Sequence, residues 1–144
     1  MSSQNTSLDK LHALALHARI HSHSPYSNHK VGAALQLSSG EIFTGCNVEN
    51  ASYGGTVCAE RVAVWKGVSE KGKIQIEDVV VVTDADQAWP PCGFCRQVMA
   101  EFSYPGTMIH LANLKGVQRS LKFDDLFPES FHPSYLSHPQ KKPT

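Results

Sequence analysis

Asp78-Val79-Val80-Val81-Val82-Thr83 is the stretch on which the fold turns. A run of β-branched residues without polar alternation predicts a strand buried on both faces, inside a sheet with helices above and below. Downstream, the loop through Trp89-Pro90-Pro91 leads into a predicted helix over 92–102. Strands follow at 107–112 and 117–123, separated by a turn at Lys115-Gly116, and Asp124-Asp125-Leu126-Phe127 suits one helical turn before a Pro-rich tail. Upstream, a helix opens near Cys58 and runs through Val62 and Trp65 to about Val68, after a loop over 47–56 that contains Gly54-Gly55. Before that loop, 30–37 and 41–46 form a hairpin around Ser39-Gly40. Ser7 is expected to cap a first helix reaching about Ser22, with Leu8, Leu11, Ala15 and Ala18 on one face and Pro25 ending it. This order predicts an α/β fold: a three-layer α-β-α sandwich around a mixed sheet of about five strands.

Length and composition narrow the function. The 144 residues suit a single domain spanning 1–144, with a core over about 8–131 and a polar tail after 136. Thirteen basic residues balance thirteen acidic ones, which argues against a broad phosphate-binding surface and hence against a nucleic-acid partner. Only Lys141 and Lys142 near the end lean basic, as a short solvated tail would. No apolar run reaches membrane-spanning length, and the Ser/Gln/Asn-rich start is unlike a signal peptide. Four cysteines in such a chain suggest metal ligation in a reducing compartment, so a cytoplasmic location is expected.

Three of those cysteines carry the chemistry. Cys58-Ala59-Glu60 and Pro91-Cys92-Gly93-Phe94-Cys95 read together as a catalytic zinc site. Cys92 and Cys95 share a helix face, and Cys58 joins them from a second element. A structural zinc site usually has four protein ligands. Here three thiolates leave a position for water, and a glutamate stands two residues after the first ligand. That is the zinc-deaminase signature in its three-cysteine form. Both motifs fall at predicted helix N-termini, where the dipole and free N–H groups favour thiolate.

Glu60 can point toward the open zinc position without ligating. Its expected role is to take a proton from water, deliver it to a ring nitrogen, and later protonate the leaving amine. Three thiolates exceed the charge of Zn²⁺, so Arg61 and Arg96 are expected to offset the excess. Cys46, at a strand end after Gly45, reads as a small buried apolar residue. His12, His17, His21 and His23 lack an acidic or cysteine partner and read as a solvated helix face.

At this point the chain resembles the small, homotetrameric cytidine deaminases of pyrimidine salvage. The resemblance covers about Leu8 to Phe131. It rests on Ser24-Pro25-Tyr26-Ser27, Val31-Gly32-Ala33-Ala34, Gly45-Cys46-Asn47-Val48-Glu49-Asn50-Ala51-Ser52-Tyr53, Cys58-Ala59-Glu60-Arg61 and Pro91-Cys92-Gly93-Phe94-Cys95-Arg96-Gln97. It implies hydrolytic deamination of cytidine and 2′-deoxycytidine to the uridines with release of ammonia, and Zn²⁺ as cofactor. Asn47 and Glu49 would bond the ribose 3′-hydroxyl, and the Ala59 N–H the base carbonyl. Tyr53 and Phe131 would reach into a neighbouring subunit's pocket, making the active sites of a homotetramer composite.

Two positions depart from the family pattern. His29 stands where an aromatic, commonly Phe, lines the nucleoside pocket, and Pro90 where Ser commonly precedes Pro-Cys. Imidazole keeps a flat ring but adds a donor and an acceptor. These departures keep open an alternative substrate, an N4-substituted cytidine or another aminopyrimidine nucleoside. A polynucleotide deaminase lacks its basic groove here. A purely structural zinc module would need neither Glu60 nor an open ligand position.

Overall fold

The computed structural model describes residues 3–136. Its centre is β3 (Ile76–Val82), the Val run, flanked by β1 (Gly32–Leu37) and β4 (Met108–Asn113). The hairpin partner β2 (Ile42–Cys46) and the last strand β5 (Gly116–Lys122) close the two edges, giving the order β2-β1-β3-β4-β5. Only β3 and β4 run parallel, because α3 (Gly93–Ala100) carries the chain across between them; the other pairs are antiparallel. The sheet is mixed and five-stranded, as expected.

Alternation along β3 builds the layers. Val79 and Val81 pack with Leu35, Ile109 and Leu111 beneath α2 (Ala59–Lys71) and α3. Val80 and Val82 pack with Ala34 and Ala112 against Leu11 and Ala15 of α1 (Ser3–Arg19). All four valines are buried. At roughly 1.5–3 kcal/mol for each fully buried side chain, this one strand anchors both faces. His110 of β4 is the polar exception on the α1 face. Its Nε2 lies 2.9 Å from Asp78 Oδ1 and its Nδ1 2.7 Å from Ser120 Oγ, so the buried imidazole is satisfied by the strands on either side.

Small residues let the helices approach. A Cβ on Gly32 would lie 2.0 Å from the Ala15 carbonyl oxygen of α1, and one on Gly45 would lie 2.4 Å from the Ala59 carbonyl oxygen of α2. The expected α1 face is the one buried: Leu11, Ala15 and Ala18 are covered and Leu8 is half-buried.

The ends differ from expectation. Helix α1 begins at Ser3 and ends at Arg19, so Ser7 lies inside it. The Ser7 hydroxyl donates to Gln36 Oε1 at 3.3 Å, because this turn lies over β1 and offers a tertiary partner instead of a cap. Residues 20–22 leave the helix in tight turns bonded to His17, Ala18 and Arg19 carbonyls, well before Pro25. Helix α2 extends to Lys71, where Gly72 at φ 76° stops it. A 3-10 turn, Tyr53–Gly55, interrupts the 47–56 loop, and the short α4 (Phe123–Leu126) fills the expected helical turn. The polar tail expected after 136 lies outside the described residues. No helix among them is long and apolar enough to cross a membrane.

Candidate metal centre and active site

Helices α2 and α3 begin side by side above the carboxyl end of β3, where open α/β sheets place their ligands. Cys58 precedes α2 with extended backbone (φ −78°, ψ 158°), and Cys92 precedes α3 in the same way (φ −65°, ψ 163°). Neither side chain caps its helix, so both sulfurs face the gap between the helices. Cys95, in the first turn of α3, is fully buried behind them. The three sulfurs all lie within 4.8 Å of one another, and Cys58 Sγ is 3.9 Å from Cys92 Sγ. Tetrahedral zinc with Zn–S bonds of about 2.3 Å needs sulfurs about 3.8 Å apart, so donor type and spacing both fit. Zinc is the cofactor.

The local electrostatics suit a metal. A hydrogen bond from Cys95, then the Arg61 guanidinium, hold the Cys58 thiol down at about 5 despite its burial. That same bond, then burial, push Cys95 up. The shared bond makes the pair give up its first proton more readily than an isolated cysteine would.

Arg61 Nη2 sits 3.7 Å from Cys58 Sγ and 3.3 Å from the Thr56 carbonyl oxygen. The ring of Phe94, from within the second cysteine motif, lies 4.2 Å from the guanidinium carbon, and Trp65 adds a second ring at 5.7 Å. The Arg61 guanidinium thus stands against a sulfur of the cluster.

Arg96 does not. Its Nε donates to the Pro91 carbonyl oxygen and its Nη1 to that of Leu126, both at 2.8 Å. One turn into α3, its side chain leads away from the sulfurs and ties the Pro91 loop to α4.

Glu60 is buried beside the cluster, and its carboxyl is pushed up to about 7, chiefly by that burial. It lines a cavity of about 270 Å³ together with Cys58 and Cys92. Asn47 and Glu49, both buried, line the same cavity. Asn47 Oδ1 accepts from the Ser22 hydroxyl and from Val31 N–H at 2.8 Å; its Nδ2 donates to the His29 carbonyl oxygen at 2.9 Å. Glu49 Oε2 accepts from the Tyr26 and Ser27 N–H groups, and Oε1 from the Ser27 hydroxyl. These donors, the Ser27 hydroxyl first, hold the Glu49 carboxyl below its ordinary range. Ala59 is buried at the first position of α2, where an N–H has no intrahelical acceptor.

His29 forms a side wall. Its ring meets Trp89 edge-on at 4.9 Å, and its Nδ1 is 3.3 Å from Asp84 Oδ1; Pro90 lines the same wall. Tyr53 and Phe131 do not line this cavity. Both are exposed, Tyr53 edge-on to Tyr26 and Phe131 stacked on Tyr135. Cys46 is half-buried away from the cluster, and burial raises its thiol. The rings of His17 and His21 meet edge-on and both residues are exposed, as expected, whereas His12 turns inward to the Asn113 carbonyl oxygen at 2.8 Å.

Sequence reasoning missed Asp84 and Thr83. Asp84 receives Arg19 Nη2 at 3.1 Å as well as His29, and so joins α1 to the cavity wall. Thr83 lines the cavity directly. Their one sequence signal is position, just past the carboxyl end of the central strand.

Comparison with known proteins agrees with this geometry. Residues 5–111 match the family model of the cytidine and deoxycytidylate deaminase zinc-binding region. A cytidine deaminase of Halalkalibacterium halodurans is 44% identical over 117 residues, 81% of this chain and 88% of that protein. One of Sporosarcina psychrophila is 41% identical over 91% of this chain and 96% of its own length. The crystal structure of cytidine deaminase from Burkholderia pseudomallei superposes with a TM-score of 0.78 at 40% identity, covering 91% of this chain and all of that one (100%). Cysteines, buried carboxylate, fold and relatives converge: the chain belongs to the zinc-dependent cytidine deaminase family.

Proposed function

We propose that the protein hydrolyses cytidine and 2′-deoxycytidine to uridine and 2′-deoxyuridine, releasing ammonia. The observation that carries the reading is Glu60, a buried carboxylate that lines the same small cavity as two sulfurs of a three-cysteine cluster. When bound by Cys58, Cys92 and Cys95, zinc supplies Lewis-acid activation of water. Glu60 takes one proton from the attacking water and passes it to the ring nitrogen, then takes the second from the hydroxyl now on C4 and gives it to the amine, which leaves as ammonia as the carbonyl forms. Arg61 offsets the excess negative charge of three thiolates.

The part of the cavity lined by Asn47 and Glu49 suits a sugar hydroxyl. Asn47 has both Oδ1 acceptor sites in use and one N–H left, so it donates. Glu49 Oε1 keeps a lone pair and accepts. A hydroxyl between them gives a proton to one and receives one from the other. The Ala59 N–H is assigned to the base carbonyl, and His29 to the pocket wall beside the base. Tyr53 and Phe131, which are exposed and do not line this chain's own cavity, are assigned to the pocket of a neighbouring copy in a homotetramer. The setting proposed is one domain, in the cytoplasm, serving pyrimidine salvage.

The test is the ultraviolet change when zinc-loaded protein meets cytidine. Rapid loss of cytidine that drops about 10³-fold or more in Glu60→Ala, with zinc content unchanged, supports the reading. Turnover that survives the substitution rejects Glu60 as the proton carrier.

A further inference from the structure

Thr83 is 1% exposed, and its Oγ1 has no hydrogen-bond partner among the described residues. It immediately follows β3, on the same side as Val79 and Val81, and lines the catalytic cavity. The other two hydroxyls of that lining are already engaged, Ser27 with Glu49 and Thr56 with the Asn50 N–H. A buried hydroxyl left unpaired destabilises the fold, and a Val in its place would fill almost the same volume without that cost. An orphan of this kind, on a residue in the lining of a ligand cavity, is best explained by a partner that arrives with the ligand.

We infer that the Thr83 hydroxyl is a specificity-determining contact that hydrogen-bonds the base of the bound nucleoside. The assignment follows from the other walls. With the sugar assigned to Asn47 and Glu49 and the reacting amine to the cysteine cluster and Glu60, the base falls to the rest of the lining, where Thr83 stands with Val31, Val81 and His29. The two valines supply apolar contact, and Thr83 adds a hydroxyl to the polar groups already assigned to the base. An aminopyrimidine presents both donors and acceptors at its rim, and a hydroxyl can serve either. This inference rests on the proposed deaminase reading.

The experiment compares zinc-loaded wild type, Thr83→Val and Thr83→Ser in cytidine turnover, in competition by uridine, and in thermal unfolding without nucleoside. For Thr83→Val the expected result is an unchanged or raised Tm with full zinc content. Its kcat/KM should be lower by about tenfold, mostly through KM, with uridine competing about tenfold more weakly. Thr83→Ser should restore both. Wild-type kcat/KM in Thr83→Val overturns the inference. So does a loss that Thr83→Ser fails to restore, since that would mark a packing role. Absence of cytidine turnover by wild type is a separate result, which removes the deaminase reading and this inference with it.

Discussion

Arg61 and Arg96 each follow a metal-site residue by one position, yet only one reaches sulfur. The difference is local. Phe94 and Trp65 supply aromatic faces that guide the Arg61 guanidinium back toward Cys58, whereas Arg96 meets two carbonyl oxygens that need a donor. Arg61 Nε, buried and without a partner among the described residues, adds a desolvation cost that the sulfur contact and the rings must offset. Partners of this kind around metal ligands typically carry a factor of 10–100 in affinity. Arg61→Gln is therefore expected to weaken zinc binding about tenfold, read by competition with a chromophoric chelator, while the fold survives. Arg96→Gln is the contrasting control, expected to leave zinc affinity alone and lower Tm, because it loosens the Pro91 loop from α4. Equal zinc affinities for Arg61→Gln and wild type would remove Arg61 from the metal centre. Sequence placed both arginines near the site but not their directions, which depend on residues as distant as Leu126.

Elements meet here through backbone contact, and Gly45 is where this matters for chemistry. Its position on β2 presses against the first turn of α2, with Ala59 O at 2.4 Å and Ala63 N at 2.7 Å from where a Cβ would stand. Backbone atoms of a helix cannot swing aside as a side chain can. Gly45→Ala should therefore cost about 3 kcal/mol, seen as a lower urea midpoint. It should also weaken zinc binding, because the displaced turn begins at Cys58. A variant with wild-type stability would mean that α2 slides freely over β2. The elements themselves were legible. The valine run dictated a doubly covered strand, and each cysteine motif fell at a helix start because a loop residue before α2 or α3 can aim a sulfur into the gap. The ends were less legible, since Ser7 meets a tertiary partner on Gln36 and no local pattern reveals that. Thr83 was hidden for a similar reason. It reads as the last residue of a strand until the loop over 84–91 folds back and turns that strand end into a cavity wall.

At the scale of the whole molecule, the chain leaves Tyr26, Tyr53, Phe131 and Tyr135 exposed, in two ring pairs that serve no core of their own. Gln97 Nε2 donates to the Phe131 carbonyl oxygen at 2.8 Å, so the backbone that presents this ring is fixed to α3. A fixed, outward-facing aromatic suits insertion into another copy, which is the composite site proposed above. Burying a Phe is worth roughly 1.5–3 kcal/mol, so Phe131→Ala should lower kcat/KM about 10- to 100-fold if its ring closes a neighbour's cavity. That loss alone does not distinguish a ring acting within its own chain from one acting across an interface. Mixing does. Glu60→Ala subunits keep Phe131, and Phe131→Ala subunits keep Glu60. When the two are unfolded together with zinc and refolded, a site built from both chains can regain the two groups. Random assembly would restore roughly a quarter of the sites, well above the sum of the separately refolded variants. Activity that stays at that sum would assign Phe131 to its own chain and leave each active site complete within one subunit.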